Sequence, residues 1–286
     1  MPFFCYFREQ FYPLDTPILQ SNDLGLLRGY GLFDYFRTYN GIPFRFEDYW
    51  ARFTNSAASL GLEVPLSEVG VRSILQRLYD LSEEREVAYR LLLTGGYAPD
   101  GLSVSQPNFI IRTEALPVDN PEGRKKGIKV IPYEYVRDLP YVKSTGYVHL
   151  IKMRTELKQE SAADLLFYKN GLVSELTRSN IFIVRSGILI TPSKDALRGI
   201  TRKVVMEKAV GRYPVEERDI TLAEVLAADE VFTTSTTKWV MPVTMVGDTK
   251  IGSGLPGPVT AELLAALENE FVAYGRSEIG SRKSAG

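Results

Sequence analysis

The stretch DLLFYKNGLVSELTRSNIFIVRSGILITP, residues 164 to 192, decides the fold. Its apolar runs have strand length and break at Asn170-Gly171 and Ser186-Gly187, pairs that tolerate the positive φ of a two-residue hairpin turn. It therefore reads as two successive hairpins, DLLFYKNGLVSEL and NIFIVRSGILITP. Between them lies Glu175. A cross-strand ion pair is the plain reading of that carboxylate. A carboxylate held against the ring nitrogen of a bound cofactor is the functional one.

Outward from this stretch the pattern alternates between strand and helix. Upstream, LFDYFRTYN and IPFRF flank Asn40-Gly41, another hairpin signal. FEDYWARFTNSAASLGL sets Trp50, Phe53, Ala57 and Leu60 at helical spacing and stops at Gly61. A second amphipathic helix is expected over 66–82, then the strands VAYRLLLTGG and PNFIIRTEAL around the loop YAPDGLSVSQ. The stretch LPVDNPEGRKKG, rich in proline, glycine and charge, reads as a linker. This gives an N-terminal α/β domain over 1–116, a linker over 117–127 and a C-terminal domain over 128–286. The second domain continues with the strand IKVIPYE, a helix running to about Glu160, the two hairpins, the helix GITRKVVMEKAV and the sheet segment VFTTSTTKWVMPV. From about Gly275 the polar tail is expected to be disordered.

The composition narrows the function classes. With 286 residues, 44% hydrophobic and 24% charged, and Lys+Arg 34 against Asp+Glu 35, the chain is a globular protein of net charge -1. It offers no overall field for nucleic acid or an anionic membrane. One cysteine, Cys5, and one histidine, His149, exclude an internal disulfide, a thiolate zinc cluster and a multi-histidine metal site. No apolar run approaches the roughly 20 residues of a membrane span. The start MPFFCYFREQF lacks a basic leader, so a cytoplasmic protein is expected.

One lysine has a setting that raises a chemical question. In YVKSTGYVHL, residues 141 to 150, Lys143 precedes a Ser-Thr pair able to cap a helix. By position alone it is a solvated charge. It becomes a Schiff-base nucleophile if the chain also provides for a carbonyl cofactor such as pyridoxal phosphate. Three segments could hold a phosphate. GITR, 199–202, opens a helix and presents backbone amides. TTSTT, 233–237, places hydroxyls on a loop after a strand. Arg52, on the helix of Trp50 and Phe53, could give a charge-assisted bond. Each also has an ordinary reading, as a helix start, strand threonines and a surface arginine.

Taken in order, DLGLLRGYGLFD (23–34), EDYWARF (47–53), YVKS (141–144), GLVSELTRSNIFIV (171–184), GITR and VFTTSTTKWVMPV (231–243) resemble the fold-type IV pyridoxal phosphate enzymes. That family includes branched-chain aminotransferases, D-amino acid aminotransferases and aminodeoxychorismate lyases. The resemblance implies a two-domain α/β (α+β) fold, with a smaller N-terminal α/β domain and a larger C-terminal pseudo-barrel. It makes Lys143 the Schiff-base lysine and proton shuttle, and pairs Glu175 with the pyridine nitrogen. Arg52, the backbone of Ile200 and Thr201, and the hydroxyl of Thr236 would hold the phosphate of pyridoxal 5'-phosphate. His149 is left as a packing residue. A homodimer acting on amino acids and 2-oxo acids is implied, with its sites near the subunit interface.

Substrate choice turns on how the α-carboxylate is gripped. The bacillary D-amino acid aminotransferases carry an Arg-x-His pair in the loop that is YAPDGLSVSQ here, which has neither residue. Arg28, Arg90 and Arg178 could take its place as carboxylate forks. Surface or interface ion pairs are the alternative for Arg28 and Arg178, and the open side of a sheet for Arg90. Tyr30 and the apolar wall of Phe33 would suit a branched-chain enzyme. The three arginines favour a D-amino acid transaminase working with 2-oxoglutarate or pyruvate. Branched-chain L-amino acid transamination, aminodeoxychorismate lyase and a catalytically silent cofactor-binding protein are the other readings.

Overall fold

The computed structural model describes residues 3–104 and 106–275. The polar tail after Gly275 falls outside the described residues. The chain divides into two compact units. Met1–Pro117, Val142–Gly146 and Phe271–Gly286 make the first, and Val118–Tyr141 with Tyr147–Glu270 the second.

The first unit starts with a hairpin of β1 (Phe4–Phe7) and β2 (Gln10–Pro13). Its turn is made by Arg8 and Glu9 at φ 47° and 65°, without a glycine. Then come α1 (Leu24–Arg28), β3 (Gly31–Tyr39), β4 (Ile42–Pro43), α2 (Phe46–Ser59), α3 (Glu68–Leu81), β5 (Ala88–Thr94) and β6 (Asn108–Glu114). The strands form an antiparallel sheet in the order β2-β1-β6-β5-β3-β4. Asn40 and Gly41 turn β3 into β4 at φ 54° and 74°, as their sequence predicts.

Alternation along β3 separates the two faces of this sheet. Leu32, Asp34, Phe36 and Thr38 are fully buried, while Phe33, Tyr35 and Arg37 are half-buried. On the buried face Phe36 meets Phe46 and Tyr49 of α2 and Tyr89 of β5, with ring centroids 5.4 to 5.5 Å apart. On the other face the register aligns Tyr35 with Arg90 and Arg90 with Arg112. Asp23 caps α1 through Gly25 N (2.7 Å) and also accepts from Thr94 Oγ1 (2.8 Å) and Asn108 Nδ2 (2.7 Å). That buried carboxylate ties the helix to β5 and β6.

The second unit holds α4 (Pro121–Lys126), β7 (Ile128–Glu134), α5 (Val148–Lys152), α6 (Arg154–Gln159), β8 (Asp164–Lys169), β9 (Leu172–Leu176), β10 (Asn180–Arg185) and β11 (Ile188–Thr191). It continues with α7 (Ile200–Ala209), β12 (Val215–Glu217), β13 (Ile220–Thr221), α8 (Leu222–Leu226), β14 (Glu230–Ser235), β15 (Trp239–Val246) and β16 (Thr249–Lys250). The helix α9 (Pro258–Ala273) closes the described chain. The sheet runs β12-β11-β10-β14-β15-β7-β8-β9-β13, with β16 paired to β15. It is mixed, since β7 lies parallel to both β8 and β15. Both expected hairpins are present: Asn170-Gly171 and Ser186-Gly187 turn at φ 51° and 78° and at 50° and 76°.

Several segments differ from the sequence reading. The helix expected right after Lys143 begins only at Val148 and breaks at Met153 into α5 and α6. Ser144 and Thr145 do not cap it, because they are drawn to β3: Ser144 bridges Leu32, and Thr145 N donates to Gly31 O. Second, Thr233 and Thr234 lie inside β14, and only the end of TTSTT forms the turn before β15. Third, α9 was not expected from the sequence.

Candidate active site

In the first unit the Lys143 segment runs along the edge of β3. Phe33 N donates to Lys143 O (2.9 Å), and the Thr145 hydroxyl donates to Gly29 O and Gly31 O. The base of Lys143 is thus fixed by strand backbone rather than by a helix. Its Nζ lies 4.7 Å from the centroid of the Phe33 ring. Arg90 Cζ lies 5.1 Å from the centroid of the same Phe33 ring and 5.1 Å from that of Tyr35. Arg90 also forks onto Glu114, Nε to Oε1 at 2.6 Å and Nη2 to Oε2 at 2.9 Å. Burial, reinforced by Glu114, pushes the Tyr35 phenol up to about 12, so it keeps its proton at neutral pH.

The other candidates of this unit have different surroundings. Arg52 makes a bidentate pair with Asp34, at 2.9 and 2.5 Å, and the carboxylate is fully buried. Arg28 is exposed and donates to the carbonyls of Gly101 and Leu27. The hydroxyl of Tyr30 donates to Leu60 O.

In the second unit Glu175 is 4% exposed and its two oxygens have separate tasks. Oε1 accepts from Arg137 Nε at 2.7 Å, and Oε2 accepts from Leu197 N at 3.1 Å. Leu197 O in turn accepts from Asn180 Nδ2 (2.7 Å). The Leu197 peptide therefore links Glu175 to the segment that leads into α7. Ile200 and Thr201 open that helix, buried, after Gly199, and no side chain caps it. A Cβ at position 199 would come within 2.0 Å of Asn180 Oδ1, so the Asn180 amide lies against the helix start only because that residue is glycine. Thr236 stands half-buried in the turn between β14 and β15. Arg178 is exposed and makes no ion pair among the described residues.

A phosphorylated pyridine cofactor needs a carboxylate for its ring nitrogen and hydrogen-bond donors for its phosphate. Glu175 and the uncapped amides at Ile200 and Thr201 are of those types. The buried hydroxyls of Ser179, Thr233 and Thr234 have no hydrogen-bond partner among the described residues. Buried polar atoms are rarely left so unless a ligand or water completes them. The donor set fits the cofactor.

Sequence reasoning missed the residues that hold these groups. Asp34, Arg137 and Asn180 act through Arg52, Glu175 and Leu197, at sequence separations of 18, 38 and 17 residues. Asp164 was also missed: fully buried, it accepts from Lys238 Nζ (2.8 Å) and the Thr177 hydroxyl. A carboxylate opening an apolar strand was its only signal. His149 packs against Tyr135, with ring centroids 3.9 Å apart, and its Nδ1 is 3.1 Å from Tyr133 Oη. No described helix is long and apolar enough to cross a membrane.

The profile of the amino-transferase class IV family matches residues 31–246 of the chain. The D-alanine aminotransferase of Bacillus licheniformis is 32% identical over 259 residues, covering 87% of this chain and 90% of that one. That of Listeria monocytogenes serotype 4b (strain F2365) is 31% identical over 267 residues, with the same coverage. Among solved structures, a T.th. branched-chain amino acid aminotransferase with pyridoxamine 5'-phosphate superposes with a TM-score of 0.87 at 25% identity, covering 97% of this chain and 96% of that one.

Proposed function

The chain belongs to the amino-transferase class IV family, enzymes that use pyridoxal 5'-phosphate on the fold-type IV scaffold, and from that premise we propose that it moves the amino group of a D-amino acid to 2-oxoglutarate or pyruvate. The observation that carries this reading is the Phe33 ring, with Lys143 Nζ 4.7 Å and Arg90 Cζ 5.1 Å from its centroid. An amine and a guanidinium share one aromatic wall. A substrate whose α-carbon meets the amine then has an arginine fork within reach of its α-carboxylate. The D-alanine aminotransferases at 32% and 31% identity support the D choice.

When bound, the cofactor supplies the carbonyl and the electron-withdrawing ring that make the substrate's α-proton removable. Lys143 Nζ takes that proton and returns it, with its base fixed by Phe33 N and its tip against the Phe33 ring. Glu175 would pair with the ring nitrogen, its carboxylate held by Arg137 at Oε1 and by Leu197 N at Oε2. The amides of Ile200 and Thr201 and the hydroxyl of Thr236 would hold the phosphate; Arg52, whose plane Asp34 sets, would be its charge-assisted donor. Arg90, and Arg28 from a neighbouring subunit, orient the carboxylate. Arg178, exposed and three residues past Glu175, is the third candidate for it, and Tyr30 serves through its ring. The working form on this reading is a cytoplasmic homodimer, and the exposed apolar side chains of Leu26, Leu27, Leu102 and Val104 support the dimer.

The branched-chain reading is favoured by the superposition on the T.th. branched-chain enzyme and by a putative branched-chain aminotransferase at 31% identity. Turnover separates the two. The holoenzyme is expected to aminate 2-oxoglutarate from D-alanine, and Arg90→Ile to raise the KM for 2-oxoglutarate with the cofactor's absorbance intact. Faster turnover of L-leucine than of D-alanine would replace this reading by the branched-chain one.

A further inference from the structure

Resting on the reading of Arg90 as the carboxylate grip, we propose that Glu114 is a built-in stand-in for the substrate's carboxylate. It occupies the Arg90 fork until substrate arrives and then passes to Arg112. The two Glu114 oxygens sit on Nε and Nη2 of Arg90, at 2.6 and 2.9 Å. This is the side-on, bidentate arrangement that a free carboxylate adopts on arginine. A substrate carboxylate seeking the same fork meets it already filled.

Arg112 is the receiver. It stands directly across the β5 and β6 ladder from Arg90, so two like charges face one another with one carboxylate between them. Its Nε lies 3.1 Å from Glu114 Oε1 but is not aligned to donate a hydrogen bond. That contact is the only ion pair Arg112 makes among the described residues, and its buried Nε–H goes unused. Glu114 is opposite Ala88, a small residue that brings no competing charge to the ladder. The side chains of Arg90, Glu114 and Arg112 are 29%, 18% and 35% exposed, open enough for exchange. After exchange, two guanidiniums face two carboxylates, one to one. Before it they share one. The arrangement therefore favours entry of an anionic, two-oxygen group and leaves no carboxylate stranded when it binds.

The test measures binding of an unreactive carboxylate, 4-methylvalerate, to the holoenzyme by calorimetry, alongside the KM for 2-oxoglutarate. Glu114→Gln empties the fork of its competitor and is expected to tighten both by about 10-fold, the scale of a charge-assisted bond set against its replacement. Arg112→Met removes the receiver and is expected to weaken both by a similar factor. In the Glu114→Gln background, Arg112→Met is expected to change neither. Glu114→Asp, which keeps the charge but shortens its reach, is expected to fall between wild type and Glu114→Gln. Weaker or unchanged binding by Glu114→Gln would overturn the exchange and leave Glu114 a brace for Arg90. If Arg90→Met leaves binding unaltered, the grip itself is misassigned, which is a separate failure from that of the exchange.

Discussion

Two arginine–carboxylate pairs stand on opposite faces of the first unit's sheet, and they differ in burial rather than in chemistry. Asp34 and Arg52 lie on the helix-covered face, with side chains 0% and 10% exposed, and Asp34 also accepts from Tyr35 N at 2.7 Å. Glu114 and Arg90 lie on the other face, at 18% and 29%. A sealed pair can neither be hydrated nor replaced, so it fixes the angle of its arginine. A half-exposed pair of the same geometry can open at little cost. Burial locks the first pair, so that Asp34 sets how Arg52 points, and lets the second pair open.

The largest effect should come from breaking the sealed pair. Asp34→Asn strands the buried Arg52 charge and is expected to lower stability by about 3–5 kcal/mol. Denaturant midpoints of the apoprotein would show it. Asp164→Asn in the second unit tests the same rule on the pair with Lys238, again fully buried on the acidic side, and should cost a comparable amount. If either substitution shifts stability by less than ~1 kcal/mol, burial does not divide the pairs as described.

Breaking the open pair should have the opposite profile. Arg90→Ile is expected to lower kcat/KM by about 100-fold, the loss of one bidentate charged contact, while stability moves by less than ~1 kcal/mol. Raising the ionic strength should raise the wild-type KM for 2-oxoglutarate and leave that of the variant nearly level. The smallest effect concerns Tyr35, beside the open pair. Its folded pKa is raised from 10 to about 12, so the unfolded chain gives up the phenol proton first as pH rises. The stability this contributes is complete below pH 10 and is lost between pH 10 and about 12. Tyr35→Phe should flatten the fall of stability across that window, as urea titrations at stepped pH would report.

Legibility in the sequence followed how local each determinant is. Asn40-Gly41, Asn170-Gly171 and Ser186-Gly187 were readable because the turn's φ demands are met by the turn's own residues. The β1 and β2 hairpin was not, since Arg8 and Glu9 take positive φ without a glycine to announce it. Helix α9 had a signal in Leu263, Leu267 and Phe271, buried at four-residue spacing. Its start, however, is set by Glu230, which accepts from Val259 N and Thr260 N from far upstream. The candidate site divides the same way. Lys143, Glu175 and the GITR helix start sit in recognisable local settings. Asp34, Arg137, Asn180 and Glu114 were invisible because strand register and loop packing, not sequence neighbourhood, bring the two acids to their arginines, Arg137 to Glu175 and Asn180 to the Leu197 carbonyl.

One measurement addresses the central claim, that Lys143 and Arg90 serve a D-amino acid on a shared aromatic wall. The visible absorbance of the protein loaded with pyridoxal phosphate would be followed as D-glutamate, L-glutamate or L-leucine is added alone. The account predicts that D-glutamate abolishes the visible band in wild type, that far higher D-glutamate is needed in Arg90→Ile, and that Lys143→Ala does not respond. Loss of the band with L-leucine but not with D-glutamate would contradict it.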